Sequence, residues 1–152
     1  MGGGARGAVW DDGHVKNTVL NGPNLGRLGT RETDVYGLTT DDELVAICQE
    51  IEPEADVRQT DDEATMIGWL HESADTNTPV VVNPGAWSHY SYALRDAAAL
   101  APVLIEVHLS QTAAREDFRH HSAVSAVAKG TITALGVEGY RAALRALHQN
   151  AP

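Results

Sequence analysis

Tyr36, His89, Glu106 and His108 are the residues of this chain best suited to move protons, and each sits in a polar cluster. Asn21-Gly22-Pro23-Asn24 opens a loop that runs through Arg31 to Tyr36-Gly37. Asn83-Pro84-Gly85-Ala86-Trp87-Ser88-His89 is a second cluster, and Glu106-Val107-His108-Leu109-Ser110 a third. Arg119-His120-His121-Ser122 is a fourth. The set offers a phenol, imidazoles, the guanidiniums of Arg31 and Arg119, and the amides of Asn24 and Asn83. Such an inventory suits general acid–base chemistry on a small, anionic, hydroxyl-rich molecule. Singly, each residue has a plainer reading. Tyr36 could be a loop aromatic, His89 a capping histidine, and Arg31 a solvated charge. Glu106 and His108, on one face of a strand end, could be a structural pair. Asn21 and Asn24 around Gly22-Pro23 are ordinary turn residues.

The elements that would have to position these clusters are legible as an alternation. Val15–Leu20, Val57–Gln59, Pro79–Asn83, Val103–Val107 and Ala128–Ala134 read as short strands. Thr40–Ile51, Asp61–Ala74, Ser91–Leu100 and Val137–His148 carry helical spacing between them. Thr40 followed by Asp41 and Asp42 is an N-cap type followed by anions that suit the helix dipole. Val80-Val81-Val82 is an unbroken apolar run of the kind buried on both faces of a parallel sheet. Alternation of this type predicts an α/β three-layer domain with a five-stranded parallel sheet. Ligands of such sheets bind beyond the carboxyl ends of the strands, and the first three clusters each follow a predicted strand. We expect one catalytic domain over 15–150, preceded by a Gly-rich extension over 1–14 without apolar period, read as disordered.

Composition narrows the partners. The chain has 152 residues, with 11 Lys+Arg against 21 Asp+Glu, a formal net charge of −10. So acidic a chain is a poor partner for nucleic acid or an anionic membrane. The acidic surplus at Asp41–Glu43, Glu50–Asp56 and Asp61–Glu63 is expected on helices and loops away from the strand ends. Net charge governs long-range steering, whereas a local field binds a ligand. A small carboxylate therefore remains compatible with the −10. The single cysteine, Cys48, excludes an internal disulfide and a cysteine-based structural zinc site. No apolar run approaches the length of a membrane span, no signal peptide is visible, and Arg6 breaks a myristoylation motif; the expected location is cytoplasmic. There is no GxxxxGK[ST], GxGxxG, HExxH or GxSxG. The only lysines, Lys16 and Lys129, are poor Schiff-base candidates. Pattern alone reaches an α/β enzyme of the lyase or isomerase type.

At its polar clusters the chain resembles type II 3-dehydroquinate dehydratase. The matching stretches are Leu20-Asn21-Gly22-Pro23-Asn24-Leu25, Leu28-Gly29, Arg31-Glu32, Tyr36-Gly37 and Arg58-Gln59-Thr60. Asn83-Pro84-Gly85-Ala86 with His89, Arg95-Asp96-Ala97 and Glu106-Val107-His108-Leu109-Ser110 follow. Arg115-Glu116-Asp117-Phe118-Arg119-His120-His121-Ser122 and Gly139-Tyr140 complete the set, in the family's order. The resemblance implies a flavodoxin-like fold and a dodecamer built as a tetramer of trimers. It implies dehydration of 3-dehydroquinate to 3-dehydroshikimate through an enolate, in the shikimate pathway, with no metal or cofactor. By the same resemblance Tyr36 is the base, with Arg31 favouring its phenolate. Asn24 stabilises the enolate oxygen through a water. His108 protonates the leaving hydroxyl and Glu106 orients it. Asn83, His89 and Arg119 hold substrate hydroxyls, joined by Asp96 from a neighbouring subunit, and the amides of Leu109 and Ser110 bind the carboxylate.

Three departures stand out. The segment between the first helix and Arg58 is a few residues short. The family's Glu-Pro in the mobile loop is Glu32-Thr33, which removes a fixed φ. Trp87 and Tyr90 flank His89 where the family usually has smaller or different residues, and we expect them to alter packing at the rim rather than chemistry. Two rivals are a flavodoxin-like binding module for a flavin or phosphate, and a catalytically retired homologue acting as an interaction protein. NGPNLGRLG lacks the hydroxyl-rich phosphate loop that the first requires. The second is disfavoured by the complete set Asn24, Arg31, Tyr36, Glu106, His108 and Arg119.

Overall fold

The computed structural model describes residues 16–30, 34 and 40–149. The predicted extension over 1–14, Val15, Arg31 and Tyr36 lie outside the described residues. Five strands, β1 (Thr18–Asn21), β2 (Asp56–Gln59), β3 (Val80–Asn83), β4 (Leu104–Val107) and β5 (Gly130–Ile132), pair in parallel in the order β2-β1-β3-β4-β5. This is the flavodoxin-like order, whose switch point lies between β1 and β3. The expected sheet is therefore present, with shifted ends: β1 starts at Thr18 rather than Val15, and β5 is only three residues long.

Three helix starts are written in their caps. In α1 (Asp41–Ile51), Thr40 Oγ1 accepts the Glu43 N–H at 3.2 Å while the Glu43 carboxylate accepts the Thr40 N–H at 3.4 Å. That reciprocal box satisfies two otherwise orphaned donors. Asp62 accepts the Thr65 N–H ahead of α2 (Glu63–Thr76), and Ser91 accepts the Leu94 N–H ahead of α3 (Tyr92–Ala98). Asn77, in the left-handed conformation, stops α2. In α4 (Glu138–Gln149), Tyr140, Ala143, Leu144 and Leu147 repeat at helical spacing and are all buried.

Two apolar layers sandwich the sheet. Leu44 and Cys48 of α1 and the buried face of α4 pack with Val19, Val81, Ile105 and Val107. Met66 and Leu70 of α2 and Leu94, Ala97 and Ala98 of α3 pack on the other face, with Leu20, Val80, Val82 and Leu104. Trp87 belongs to this second core at 5 % exposure. The expectation that it would pack at the rim is thus corrected: the turn after β3 folds the indole into the apolar layer, where its large ring is removed from water. Tyr90, at 61 % exposure, is on the surface. The short connection from α1 to β2 closes through Glu52, which accepts both the backbone N–H and the side-chain amide of Asn17, at 3.0 and 2.8 Å. No helix of the described residues is long and apolar enough to cross a membrane.

Candidate active site

Because the strands are parallel, the segments after β1, β3 and β4 open on the same edge. There they enclose a cleft of about 110 Å³ lined by Pro23, Asn24, Asn83, Gly85, His89, His108, Leu109, Ser110, Thr112, Arg115 and Arg119 among others. It straddles the β1/β3 switch point, where open α/β sheets bind ligands.

The floor is built by close backbone approach. The Gly22 N–H donates to the Asn83 carbonyl at 2.8 Å, tying the loop after β1 to the end of β3. Asn24 adopts a left-handed φ of 67°, and its N–H donates to Asp61 Oδ1 at 2.8 Å. Gln59 Nε2 donates to Asp61 Oδ1 and to the Gly22 carbonyl, both at 3.1 Å. Asp61 thus stands beside the carboxyl end of β2 and fixes Asn24. This corrects the expectation that the acidic residues at 61–63 keep away from the strand ends, because the chain leaving β2 must turn across the rim before α2 begins.

Asn83 is buried and doubly tied. Its Nδ2 donates to the Tyr140 hydroxyl at 2.9 Å and its Oδ1 accepts the Gly85 N–H at 3.2 Å. Tyr140 donates in turn to Asn21 Oδ1 at 2.6 Å, while Asn21 Nδ2 is buried without a partner. Burial pushes the Tyr140 phenol well above its ordinary range, so it stays a donor. A 3₁₀ turn over Gly85–His89 then delivers His89 to the cleft.

His89 Nδ1 lies 2.8 Å from the His121 carbonyl. A carbonyl only accepts, so Nδ1 carries the proton and Nε2 of the neutral ring is the acceptor. Burial, chiefly, holds this imidazole below its ordinary value, and the neighbouring His108 and Arg119 act in the same direction. His89 lies nearly parallel to His108, with ring centroids 6.3 Å apart and 18° between planes.

Glu106 and His108 alternate along the end of β4 and so share a face. Glu106 is fully buried, His108 is 7 % exposed, and Nε2 lies 2.6 Å from Oε2. That contact occupies Nε2 and leaves Nδ1 as the nitrogen available to a ligand. The His108 N–H donates to the Ile132 carbonyl, fixing the residue to β5. Beyond it, the carbonyls of Leu109 and Ser110 accept the Gly136 and Ala134 N–H groups, each at 3.1 Å. Two guanidiniums face the same cleft. Arg115 donates to Ser110 Oγ at 3.0 Å, and Arg119 is paired with Glu116 and lies over the Phe118 ring, 4.7 Å from its centroid.

The fold brings Asn24, Asn83, His89, His108, Leu109, Ser110 and Arg119 together around one space, with Glu106 directly behind His108. It does not bring Asp96 there: this residue is an exposed position of α3, 3.6 Å from Arg95. Arg115, Thr112, Asp61 and Tyr140 are site or supporting residues that sequence reasoning did not single out for a role. Tyr140 falls on an apolar helical repeat and reads as core, and Asp61 reads as solvated charge. Among the described residues no group of three or more potential ligands converges on a metal position. The arrangement offers two nearly parallel imidazoles, one of them backed by a buried carboxylate, and two cations.

Residues 15–148 match the family model described as dehydroquinase class II. The chain is 62 % identical over 135 residues to a 3-dehydroquinate dehydratase of Salinispora tropica, covering 85 % of this chain and 94 % of that protein. It is 56 % identical over 135 residues to one of Mycobacteroides abscessus, covering 84 % and 92 %. Among solved structures, the type II dehydroquinase from Propionibacterium acnes superposes with a TM-score of 0.86 at 54 % identity, covering 88 % of this chain and 96 % of that one. The chain belongs to the class II dehydroquinase family.

Proposed function

We infer that this protein is a hydro-lyase, a type II 3-dehydroquinate dehydratase converting 3-dehydroquinate to 3-dehydroshikimate in the shikimate pathway. The observation that carries the reading beyond the family match is the buried Glu106–His108 pair. It is aimed into a cleft that also holds Asn24, Asn83, His89 and Arg119.

The reaction breaks a C–H bond α to a ketone and then a C–O bond at the β carbon. Tyr36 takes the proton, and Arg31, five residues earlier in the chain, favours its phenolate, since a nearby opposite charge stabilises the ionised form. Asn24 places an amide where the enolate oxygen develops its charge, acting through a water. His108 delivers the proton of Nδ1 to the departing hydroxyl, which leaves as water. Glu106 stabilises the imidazolium before transfer and fixes the ring. The proton held by Tyr36 then returns to the His108 site through solvent, closing the cycle.

Binding is divided by chemistry. Asn83, His89 and Arg119 hold hydroxyls, with the His89 Nε2 lone pair accepting from one of them. The backbone amides of Leu109 and Ser110 hold the carboxylate, as successive amide donors can, and Arg115 adds a second cation on that side. Asp96 acts in a neighbour's site within a dodecamer arranged as a tetramer of trimers, which fits its exposed place on α3.

A continuous ultraviolet assay for the enone product from 3-dehydroquinate tests the reading. Turnover is expected in the parent chain and abolished in Tyr36→Phe, with substrate binding retained. A near-parental kcat in Tyr36→Phe would remove Tyr36 as the base. Borohydride with substrate is expected to trap no adduct at Lys16 or Lys129.

A further inference from the structure

The carboxylate of Glu106 is shared by more than His108. The Ser122 hydroxyl donates to both its oxygens at 2.9 Å, and the Ser125 hydroxyl donates to Oε1 at 3.1 Å. The two serines also support each other, since the Ser125 N–H donates to Ser122 Oγ at 3.1 Å. Ser125 Oγ lies 3.0 Å from Thr131 Oγ1 on β5. With the Ser125 proton directed at Glu106, the Thr131 hydroxyl is the donor in that contact. Both Glu106 oxygens are thus within reach of hydroxyls that can donate to them, as an ionised carboxylate requires.

We propose that Ser122 and Ser125 are positioning residues that hold Glu106 as an acceptor-only carboxylate and so keep His108 charged for proton delivery. The proposal rests on the reading of His108 as the proton donor. A buried ion pair is favourable only when its remaining lone pairs are also satisfied. Without the two hydroxyls, the proton shared across the pair moves toward the neutral arrangement, acid on Glu106 and free base on His108. The proton that moves is the one on Nε2, so the Nδ1–H that remains belongs to a neutral ring, a far weaker acid than an imidazolium and a poor donor to the departing hydroxyl. The other charged or titratable groups facing the pair leave room for this effect. His89 is stacked on His108, Arg115 reaches the cleft side, and Arg119, His120 and His121 surround a second cavity of about 210 Å³ behind Glu106. Of these, the guanidiniums of Arg115 and Arg119 carry a fixed positive charge that supports the anion from a distance, while among the described residues the serines bond to it beside His108.

The test compares the parent with Ser122→Ala/Ser125→Ala and with Ser125→Thr. In 3-dehydroquinate dehydration the double variant is expected to lose about 10- to 100-fold in kcat with KM within about twofold. The alkaline limb of its kcat–pH profile is expected at lower pH. Ser125→Thr, which keeps the hydroxyl, is expected to restore the parental profile. Ring ¹⁵N NMR of His108 without substrate is expected to give a smaller doubly protonated fraction in the double variant at a fixed pH. A uniform loss at every pH, with the limb and the NMR signal unmoved, would overturn the proposal and leave a merely structural pair. If the double variant does not fold, Ser125→Ala is read by the same criteria. If the parent fails to dehydrate 3-dehydroquinate, the substrate reading falls, and the NMR comparison still decides the role of the serines.

Discussion

Asn83 and Tyr140, 57 positions apart, meet at 2.9 Å in the interior, the amide of Asn83 donating to the phenolic oxygen. A helix that contributes nothing to the cleft lining thereby sets the orientation of a residue that does. The same hydroxyl donates onward to Asn21 Oδ1, so one phenol joins the ends of β1 and β3 across the switch point.

Tyr140→Phe removes both bonds and leaves the carbonyl of Asn21 and the amide of Asn83 buried without this partner. Each orphaned group costs about 1–3 kcal/mol. The variant is expected to show a lower midpoint in denaturant unfolding, and a KM for 3-dehydroquinate raised more than kcat is lowered. A variant as stable as the parent would show that the two amides find other partners.

Two glycines predict opposite outcomes. A Cβ on Gly22 would lie 3.0 Å from the Pro84 carbonyl oxygen and 3.1 Å from that of Asn83, which is backbone and cannot rotate away. Gly22→Ala is expected to destabilise by about 1–3 kcal/mol and to depress activity by parting the loops after β1 and β3. Gly68 is exposed on α2, and a Cβ added there would meet nothing within 4 Å. Gly68→Ala is expected to stabilise by about 0.5–1 kcal/mol through helix propensity with kinetics unchanged. Thermal unfolding of the two variants side by side checks both signs.

His89 gives a pH dependence whose sign follows from its environment. Its folded value lies below the ordinary 6.5 because burial penalises the charged ring. Just below pH 6.5 the unfolded chain therefore binds a proton that the folded chain refuses. The contribution to stability is complete above that pH and is lost as pH falls through the window beneath it. An NMR titration of the His89 ring is expected to give a midpoint below 6.5, and His89→Asn to flatten the acid loss of stability. A midpoint at or above 6.5 would contradict the burial argument.

Much of this site was legible before any fold was known, for a physical reason. In a parallel α/β domain the chain must return to the same edge after every strand, so clusters after successive strands are neighbours by topology. Asn24, Asn83, His89 and the pair Glu106 and His108 could be placed that way. Trp87 could not, because a turn residue beside a polar cluster carries no mark of which way its ring points. Nor could Asp61, whose charge resembles its solvated neighbours in sequence and differs in having the Asn24 N–H and the Gln59 amide in front of it. The roles of Arg31 and Tyr36, central to the proposed chemistry, rest on the resemblance to the family.

By itself the sequence determined the alternation of strands and helices, the two apolar faces of the sheet and the residue types able to move protons. These follow from local periodicity and from side-chain chemistry, which require no knowledge of distant neighbours. Only the tertiary structure decided which atoms face one another. It showed that Glu106 takes Nε2 of His108 and leaves Nδ1, and that the His121 carbonyl selects the tautomer of His89. It also showed that Ser122 and Ser125 close around the same carboxylate, 16 and 19 positions further along the chain. Hydrogen-bond direction depends on geometry at the scale of tenths of an ångström, and such geometry exists only once the strands have been brought side by side.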